Sequence, residues 1–125
     1  MKAIVKFYKC GICGNTIALI KNGGGQLVCC NQPMNELVPN TTEASYEKHI
    51  PAVSKDGSVI NVQVGSAPHP MLPEHYIEWV AVVGDDGAEI IKLNPGVEPK
   101  AVFAMKKNAE AYAYCNLHGL WKSDV

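Results

Sequence analysis

The sequence predicts an all-β protein in which an antiparallel sandwich follows a small cysteine-rich segment. Three observations support this fold class. Several short runs alternate in polarity or are rich in β-branched and aromatic residues, and turn signals separate them. No segment keeps a helical period for three turns, and 8 prolines and 11 glycines are spread along the chain. Four of the 5 cysteines fall within the first 36 residues, before the predicted strands begin.

The strand signals are short and lie in the second part of the chain. Tight turns are expected at 85–87 and 94–96, on either side of one of these strands. The predicted strands are 58–64, 76–83, 88–93, 102–105 and 111–114. The one helix candidate is 42–49, two turns at most, with Thr42 as its cap. We therefore expect a domain at 1–36 and a second at 37–125, with 37–42 acting as the linker.

Composition limits the classes of function. Hydrophobic residues make up 47% of the 125 residues and charged residues 18%, which is typical of a globular chain. The net charge is -1 with both signs well mixed, so the basic surface that nucleic acid requires is not expected. Lys2, Lys6 and Lys9 interrupt any signal-peptide core, and no run is apolar enough to span a bilayer. We expect a soluble cytoplasmic protein with reduced cysteines.

Four cysteines form the first constellation. Cys10 and Cys13 belong to a CxxC knuckle followed by Gly14, and Cys29 and Cys30 are adjacent in sequence. Four thiolates at these spacings favour tetrahedral coordination of zinc or iron, and the spacing does not choose between them. A redox CxxC and a pair of disulfides are the alternatives, but the long helix that follows a thioredoxin-like CxxC is not predicted here. A segment this small would need bound metal for its stability.

The second constellation combines the four histidines with the remaining cysteine. Prolines stiffen the segments around the first three histidines, and the fourth histidine lies three residues after the cysteine. Its members are His49, His69, His75, Cys115 and His118. Each histidine alone has an ordinary explanation as a surface or core residue, and the cysteine alone could be a small buried hydrophobe. Taken together, they predict a shared metal site.

Five such ligands on one ion would leave one coordination position open. Structural zinc is normally four-coordinate and closed, whereas iron(II) accommodates four imidazoles, one thiolate and a vacancy. The thiolate would donate electron density toward the vacancy, as it does in thiolate-ligated haem enzymes. A small anion that accepts an electron is the natural ligand for this arrangement.

These residues together resemble the desulfoferrodoxins, the two-iron class of superoxide reductases. The CxxCG knuckle with a vicinal cysteine pair is similar to the desulforedoxin-like domain of that family. The family patterns EKH-[VI]-P, HPM…H[YW]IEW and YCN-[IL]-HG-x-W are matched here at 47–51, 69–71, 75–79 and 114–121. The resemblance covers nearly the whole chain. One departure is Leu120, where family members often carry histidine; it lies outside the ligand set.

The resemblance implies a fold and two iron centres. The small domain would hold a distorted rubredoxin-like Fe(SCys)4 centre through Cys10, Cys13, Cys29 and Cys30. In the second centre, His49, His69, His75 and His118 would lie in the plane of a square-pyramidal iron, with Cys115 axial. The larger domain would be an immunoglobulin-like sandwich of seven strands. The molecule would be a homodimer.

The resemblance also implies an activity, namely the reduction of superoxide to hydrogen peroxide without release of oxygen. Lys48 would draw superoxide toward the vacancy, and Glu47 would supply a carboxylate to the oxidised iron. Without the family, a solvated surface pair is the simpler interpretation of these two residues. The electron donor would be rubredoxin or a similar small carrier.

Three other functions are compatible with the same residues. A non-catalytic electron-transfer or structural metalloprotein would not react with superoxide. A superoxide dismutase would evolve oxygen together with peroxide. A cysteine nucleophile enzyme using Cys115 and a histidine would be alkylated at a free thiol, which metal coordination should prevent.

Overall fold

The structure is a computed structural model that describes residues 5–125, so Lys2 and the first four residues of the predicted 1–36 domain lie outside the described part. The chain divides into two compact units, a small one that ends at Val38 and a larger one that begins at Pro39. The described residues are almost entirely β, and the predicted fold class is confirmed. None of the helices in residues 5–125 is long and apolar enough to cross a membrane.

The small unit is a set of short antiparallel strands with very little core. Its central strand β1 pairs with β2 on one side and β5 on the other, and β3 pairs with β4 separately. The strands are β1 (Lys6–Lys9), β2 (Thr16–Leu19), β3 (Val28–Cys29), β4 (Gln32–Pro33) and β5 (Asn35–Glu36). Among its described residues, only Phe7 and Cys10 are buried hydrophobic side chains. Burial of apolar surface therefore contributes little to the stability of this unit.

The larger unit is a sandwich of two antiparallel sheets. One sheet has the order β10-β7-β6 and the other the order β12-β11-β8-β9, which gives seven strands within the described residues. The strands are β6 (Pro51–Asp56), β7 (Val59–Val64), β8 (Ile77–Gly84), β9 (Gly87–Lys92), β10 (Lys100–Ala104), β11 (Glu110–Cys115) and β12 (Gly119–Asp124). This order places β6, β7 and β10 as strands A, B and E, and β8, β11 and β12 as strands C, F and G, of an immunoglobulin-like sandwich.

The alternation of side chains along these strands builds one hydrophobic core. Inward-facing residues of both sheets are completely or almost completely buried. The members on β7, β8 and β11 include Ile60, Val62, Val64, Val80, Val82, Ala111 and Ala113. Cys115 belongs to the same cluster and is 0% exposed. Cys115, the last residue of β11, therefore places its sulfur atom at the end of the water-free core.

A bulge adjusts the sheet beside this cysteine. Tyr114 pairs with Trp79, whereas Cys115 pairs with Ile77, so Glu78 is the extra residue on β8. Because side chains alternate along a strand, the extra residue turns Ile77 into the core while Trp79 faces the opposite side of the sheet. The bulge thus packs an apolar side chain next to Cys115.

The five strands predicted in the larger unit were found, but its other two strands and the start of the helix were not predicted correctly. β6 ends in the exposed residues 54–56 and β12 ends in the polar residues 122–124, so neither carries a strong apolar pattern. The helix α1 (Tyr46–His49) is one turn long and Ser45 occupies its N-cap position. The prediction that Thr42 caps the helix is wrong. Thr42 instead lies against Gly119, where its hydroxyl oxygen would be 3.1 Å from an added Cβ.

Gly65, which follows β7, allows the backbone of α1 to approach closely. A Cβ at this position would lie 2.6 Å from the carbonyl oxygen of Glu47, 2.9 Å from that of Ile50 and 3.0 Å from the carbonyl carbon of Lys48. Backbone atoms cannot move aside as the end of a flexible side chain can. Gly65→Ala should therefore displace α1 and lower the free energy of unfolding by about 1–3 kcal/mol.

Chemical denaturation followed by tryptophan fluorescence measures this change. Gly87→Ala is the matched control, because a Cβ at Gly87 meets nothing within 4 Å. Equal stability of the two variants would contradict the proposed close approach.

Candidate metal centres

The larger unit brings four imidazoles and one thiol together at one end of the sandwich. Three segments supply them: α1 immediately before β6, the connection between β7 and β8, and the turn between β11 and β12. Antiparallel pairing places the corresponding strand ends side by side, since Pro51 pairs with Val64, and Cys115 pairs with both Ile77 and Gly119. The five potential ligand atoms lie within 4.8 Å of one another, and they belong to His49, His69, His75, Cys115 and His118.

Backbone carbonyls fix the orientation of two of the imidazoles. Nδ1 of His49 donates to the carbonyl oxygen of Ser45 at 2.6 Å, and Nδ1 of His69 donates to that of Pro70 at 2.7 Å. A carbonyl oxygen only accepts hydrogen bonds, so Nδ1 carries the proton in both rings. In the neutral rings, each Nε2 is left with a lone pair. These two Nε2 atoms are only 3.0 Å apart.

Two further histidines and the cysteine turn toward the same point. Nδ1 of His118 lies 3.1 Å from Nε2 of His49 and 3.9 Å from Sγ of Cys115. Nε2 of His75 is buried and has no hydrogen-bond partner. Lone pairs that face one another without a proton repel, and a buried polar atom without a partner is costly. A cation at the point of convergence would remove both penalties.

The protonation states support the same conclusion. Burial lowers the pKa of His69 to about 4, and it also lowers the pKa values of His49 and His75. These rings are therefore neutral at physiological pH, as metal ligands must be. Burial raises the pKa of the Cys115 thiol, although the backbone N–H groups of Leu117 and His118 act in the opposite direction. A bound metal ion would deprotonate this thiol.

Trp121 packs against the histidine cluster and supports two of its members. Its indole stacks on the His49 ring with centroids 4.9 Å apart, and its Nε1 donates to the carbonyl oxygen of His118 at 3.0 Å. Tyr46 packs edge-on against the same indole. Because Trp121 is 0% exposed, it holds segments from α1 and the β11–β12 turn in fixed positions. A donor set of four imidazoles and one thiolate, held this rigidly, fits iron.

The small unit holds the second group, which consists of four sulfur atoms. The Sγ atoms of Cys10, Cys13, Cys29 and Cys30 lie within 4.8 Å of one another, and none of them forms a disulfide. The predicted alternative of two disulfides is therefore not what the structure shows. Four soft sulfur donors in this arrangement suit tetrahedral iron or zinc.

Hydrogen bonds and charge distinguish the four thiols. The backbone N–H groups of Cys13 and Ile12 donate to Sγ of Cys10 and lower its pKa to about 6. The neighbouring thiols raise the pKa of Cys30 to about 12 and also raise that of Cys29. The four sulfurs therefore cannot all be thiolates unless a cation balances their charge. Asn15, which the sequence did not single out, donates to Sγ of Cys13 from its backbone and to Sγ of Cys29 from its side chain.

Special backbone conformations bend the chain around the sulfurs. Gly14 has φ 81°, as expected for the residue that closes the CxxC knuckle. Cys30 and Asn31 have φ values of 54° and 62°, which place both in the left-handed region. This turn lets two adjacent cysteines direct their sulfurs, 4.0 Å apart, toward one point.

Comparison with known proteins agrees with this pair of centres. The family model described as desulfoferrodoxin matches residues 41–124, and the model described as the desulfoferrodoxin N-terminal domain matches residues 4–37. This chain belongs to the desulfoferrodoxin family. A desulfoferrodoxin homolog of Archaeoglobus fulgidus is 46% identical over 124 residues, which cover 98% of this chain and 99% of the relative.

Other members of the desulfoferrodoxin family and a solved structure extend the match. The desulfoferrodoxin of Clostridium acetobutylicum is 46% identical over 112 residues, which cover 90% of each chain. The crystal structure of the superoxide reductase from Treponema pallidum has a TM-score of 0.78 and 32% identity, and the alignment covers 96% of this chain and 98% of that chain.

The structure places the sequence-predicted residues in three groups. The nine predicted ligands form the two clusters. Glu47 and Lys48 are exposed on α1, next to buried His49. Lys48 is near enough to lower the pKa values of His49 and His75, and Ser45 and then Lys48 are among the groups that lower the pKa of Glu47.

Some contributors to the two centres were not predicted from the sequence. The carbonyls of Ser45 and Pro70 carry no sequence signal, because every residue has a carbonyl group. Trp121 lies within the matched 114–121 pattern, and this position was its only signal. Leu120 is 3% exposed, on the strand that begins just after His118.

The small unit has very little hydrophobic core, so we expect its folding to depend on bound metal. Removal of metal from the reduced protein with a chelator should abolish slow amide exchange in residues 6–36, because metal binding supplies the free energy of folding there. Strands β7, β8 and β11 should keep slow exchange, since their core does not depend on a metal. Hydrogen exchange followed by mass spectrometry measures both parts in one experiment. Unchanged protection in residues 6–36 would show that the small unit folds without metal.

Proposed function

We propose that this chain is a superoxide reductase that reduces superoxide to hydrogen peroxide at a non-haem iron centre. The observation that carries the proposal is the group of unprotonated imidazole nitrogens and one thiol that converge at the end of the sandwich. Relatives named superoxide reductase support it. These include the one from Treponema pallidum and that of Thermococcus kodakarensis, which is 37% identical over 99 residues.

The proposed ligands follow the two clusters. His49, His69, His75, His118 and Cys115 would hold one iron ion, and Cys10, Cys13, Cys29 and Cys30 would hold the other. The atoms that would face the first ion are Nε2 of His49, His69 and His75, Nδ1 of His118 and Sγ of Cys115. The domain boundary proposed at residues 36 and 37 is supported by the end of the small compact unit at Val38 and by the two matched ranges.

The reaction consumes superoxide, one electron and two protons and gives hydrogen peroxide. Iron bound by these five residues would cycle between the ferrous and ferric states and supply the electron. Once deprotonated by the metal, Cys115 would contribute an anionic, polarisable donor in a dry environment, which favours release of that electron. Trp121 and the carbonyls of Ser45 and Pro70 keep the imidazoles in place, so little reorganisation accompanies the change of charge.

Lys48 and Glu47 are proposed to act at the entrance. A net charge of -1 gives the whole protein no attraction for an anion, so attraction must be local. Lys48 is exposed, and its charge reaches the rings of His49 and His75. Glu47, whose pKa is lowered, is ionised and presents its carboxylate from the same helix, α1.

Partners and location are further parts of the proposal. We propose a rubredoxin-like electron donor, because Cys13 and Cys30 are exposed and a small carrier could approach the sulfur centre closely. Exposed apolar side chains of the small unit, including Ile12, Ile20 and Val28, support a homodimer. Five cysteines without a disulfide support a cytoplasmic location.

The products of a single turnover test the proposed activity. Protein loaded with two irons per chain and reduced beforehand should convert superoxide to peroxide without evolving oxygen. A dismutase would release oxygen and peroxide in equal amounts, and a non-catalytic metalloprotein would leave the spontaneous decay of superoxide unchanged. Rapid mixing with superoxide, followed by peroxide and oxygen measurements, distinguishes the three.

The proposed role of Lys48 has its own test. Lys48→Ala should slow the reaction with superoxide by roughly 10-fold at low ionic strength and reduce its dependence on salt. Pulse radiolysis at several salt concentrations measures both effects. Lys107→Ala is the matched control, because Lys107 is also exposed but precedes β11, at the end of the strand opposite Cys115. The role is disproved by a rate and salt dependence equal to those of the Lys107 variant.

A further inference from the structure

Asn116 joins two of the ligand-bearing segments. It lies in the turn between Cys115 and His118, and its side chain reaches the segment that carries His75. Its Oδ1 accepts a hydrogen bond from the backbone N–H of Tyr76 at 3.0 Å, and its Nδ2 donates to the carbonyl oxygen of Glu74 at 3.0 Å. Its own backbone N–H donates to the carbonyl oxygen of Tyr76 at 3.2 Å. These three bonds hold the backbone on both sides of His75.

This arrangement differs from that of the other oriented histidines. The rings of His49 and His69 are held by carbonyls of their own segments, at Ser45 and Pro70. The residues that flank His75 are instead held by a side chain from a different segment, which also carries Cys115. The position of His75 therefore depends on that of the β11–β12 turn.

We propose that Asn116 is a positioning residue that sets the geometry of His75 relative to Cys115 and His118. The inference rests on the proposed five-ligand centre and adds a residue to its support. These three hydrogen bonds of Asn116 are made to the backbone of Glu74 and Tyr76 and not to a ligand atom, so we expect it to act through that backbone. Partners of this kind outside the ligand set control metal affinity and the strength of the metal–ligand bonds.

Two substitutions separate the effects of the two side-chain hydrogen bonds of Asn116. Asn116→Ala removes both side-chain hydrogen bonds and leaves the N–H of Tyr76 and the carbonyl of Glu74 without these partners. Asn116→Asp keeps an acceptor for the N–H of Tyr76, but it loses the donor and places a carboxylate oxygen near the carbonyl of Glu74. The aspartate variant should therefore fall between wild type and the alanine variant.

Asn40 supplies a matched control in the same unit. Like Asn116, it makes two side-chain hydrogen bonds to the backbone. Its side chain accepts from the backbone N–H of Lys122 at 2.9 Å and donates to the carbonyl oxygen of Lys122 at 3.2 Å. Asn40 also has φ 61°, a conformation that alanine adopts less readily. Asn40→Ala should thus lower stability at least as much as Asn116→Ala, while it leaves the ligand segments intact.

Cobalt(II) binding to the full-length chain under reducing conditions measures the effect without reliance on activity. The absorption bands of cobalt bound to four thiolates differ from those of cobalt bound to imidazoles and one thiolate. A competing chelator therefore gives the affinity of each centre separately. Asn116→Ala should weaken cobalt binding at the mixed centre by about 10- to 100-fold and shift its thiolate-to-cobalt absorption. Binding at the four-cysteine centre of the same molecule should not change.

Other results of the cobalt measurement would overturn the proposed role of Asn116. Wild-type affinity and absorption in Asn116→Ala, or equal weakening in Asn40→Ala, would overturn it. If the alanine variant does not fold, the aspartate variant carries the test, and wild-type values there overturn the proposal. Failure of the proposed superoxide reductase activity is a separate result, because it would appear in the products formed by the wild-type protein and would leave the cobalt measurement valid.

Discussion

The geometry of the candidate site in the larger unit depends on the convergence of lone pairs at one end of its core. Two imidazole nitrogens that carry no proton face each other at 3.0 Å, a third buried imidazole nitrogen has no partner, and a thiol lies beside them in a dry environment. Each of these features is unfavourable alone, because water has been removed and no hydrogen bond replaces it. One cation compensates all of them together. This end of the fold is therefore built to hold a metal ion.

The rest of the sandwich serves to keep these groups in place. Antiparallel pairing brings the ends of several strands to the same edge, and the bulge on β8 packs Ile77 against Cys115. Gly65 lets α1 approach closely enough to present His49, and Trp121 supports both His49 and the turn before β12. Hydrogen bonds to carbonyl oxygens then fix the tautomers of His49 and His69. The ligands are thus constrained by packing, pairing and hydrogen bonding at once, which is how a site keeps its geometry through changes in charge.

The sequence predicts the parts of this protein that depend on side-chain type. Inner strands carry β-branched or aromatic residues, so β7, β8 and β11 were found. Histidine and cysteine are few enough that their clustering is informative. Strands β6 and β12 were missed because each has a polar second half and neither alternates in polarity over its full length. The single turn of α1 is too short to leave a periodic pattern.

Other features depend on backbone geometry and therefore left no signal in the sequence. The carbonyls that orient His49 and His69 could belong to any residue, and the left-handed conformation of Cys30 is not typical of that residue type. Asn116 was visible in the sequence only as one letter between two predicted ligands. Its contacts with Glu74 and Tyr76 join segments about forty positions apart, and such a pairing becomes apparent only after the chain has folded.

The two candidate centres differ in how far the surrounding fold depends on the metal. The mixed centre lies at the end of a large core that can fold around it and impose its geometry, so the protein determines how the metal behaves. The four-cysteine centre lies in a unit with two buried hydrophobic side chains among its described residues, and there the metal determines whether the protein is ordered. This difference follows from burial: Cys115 is 0% exposed, whereas Cys13 and Cys30 reach the surface. A rigid, dry site suits chemistry on a small anion, and thiolates at the surface suit exchange of electrons with another protein.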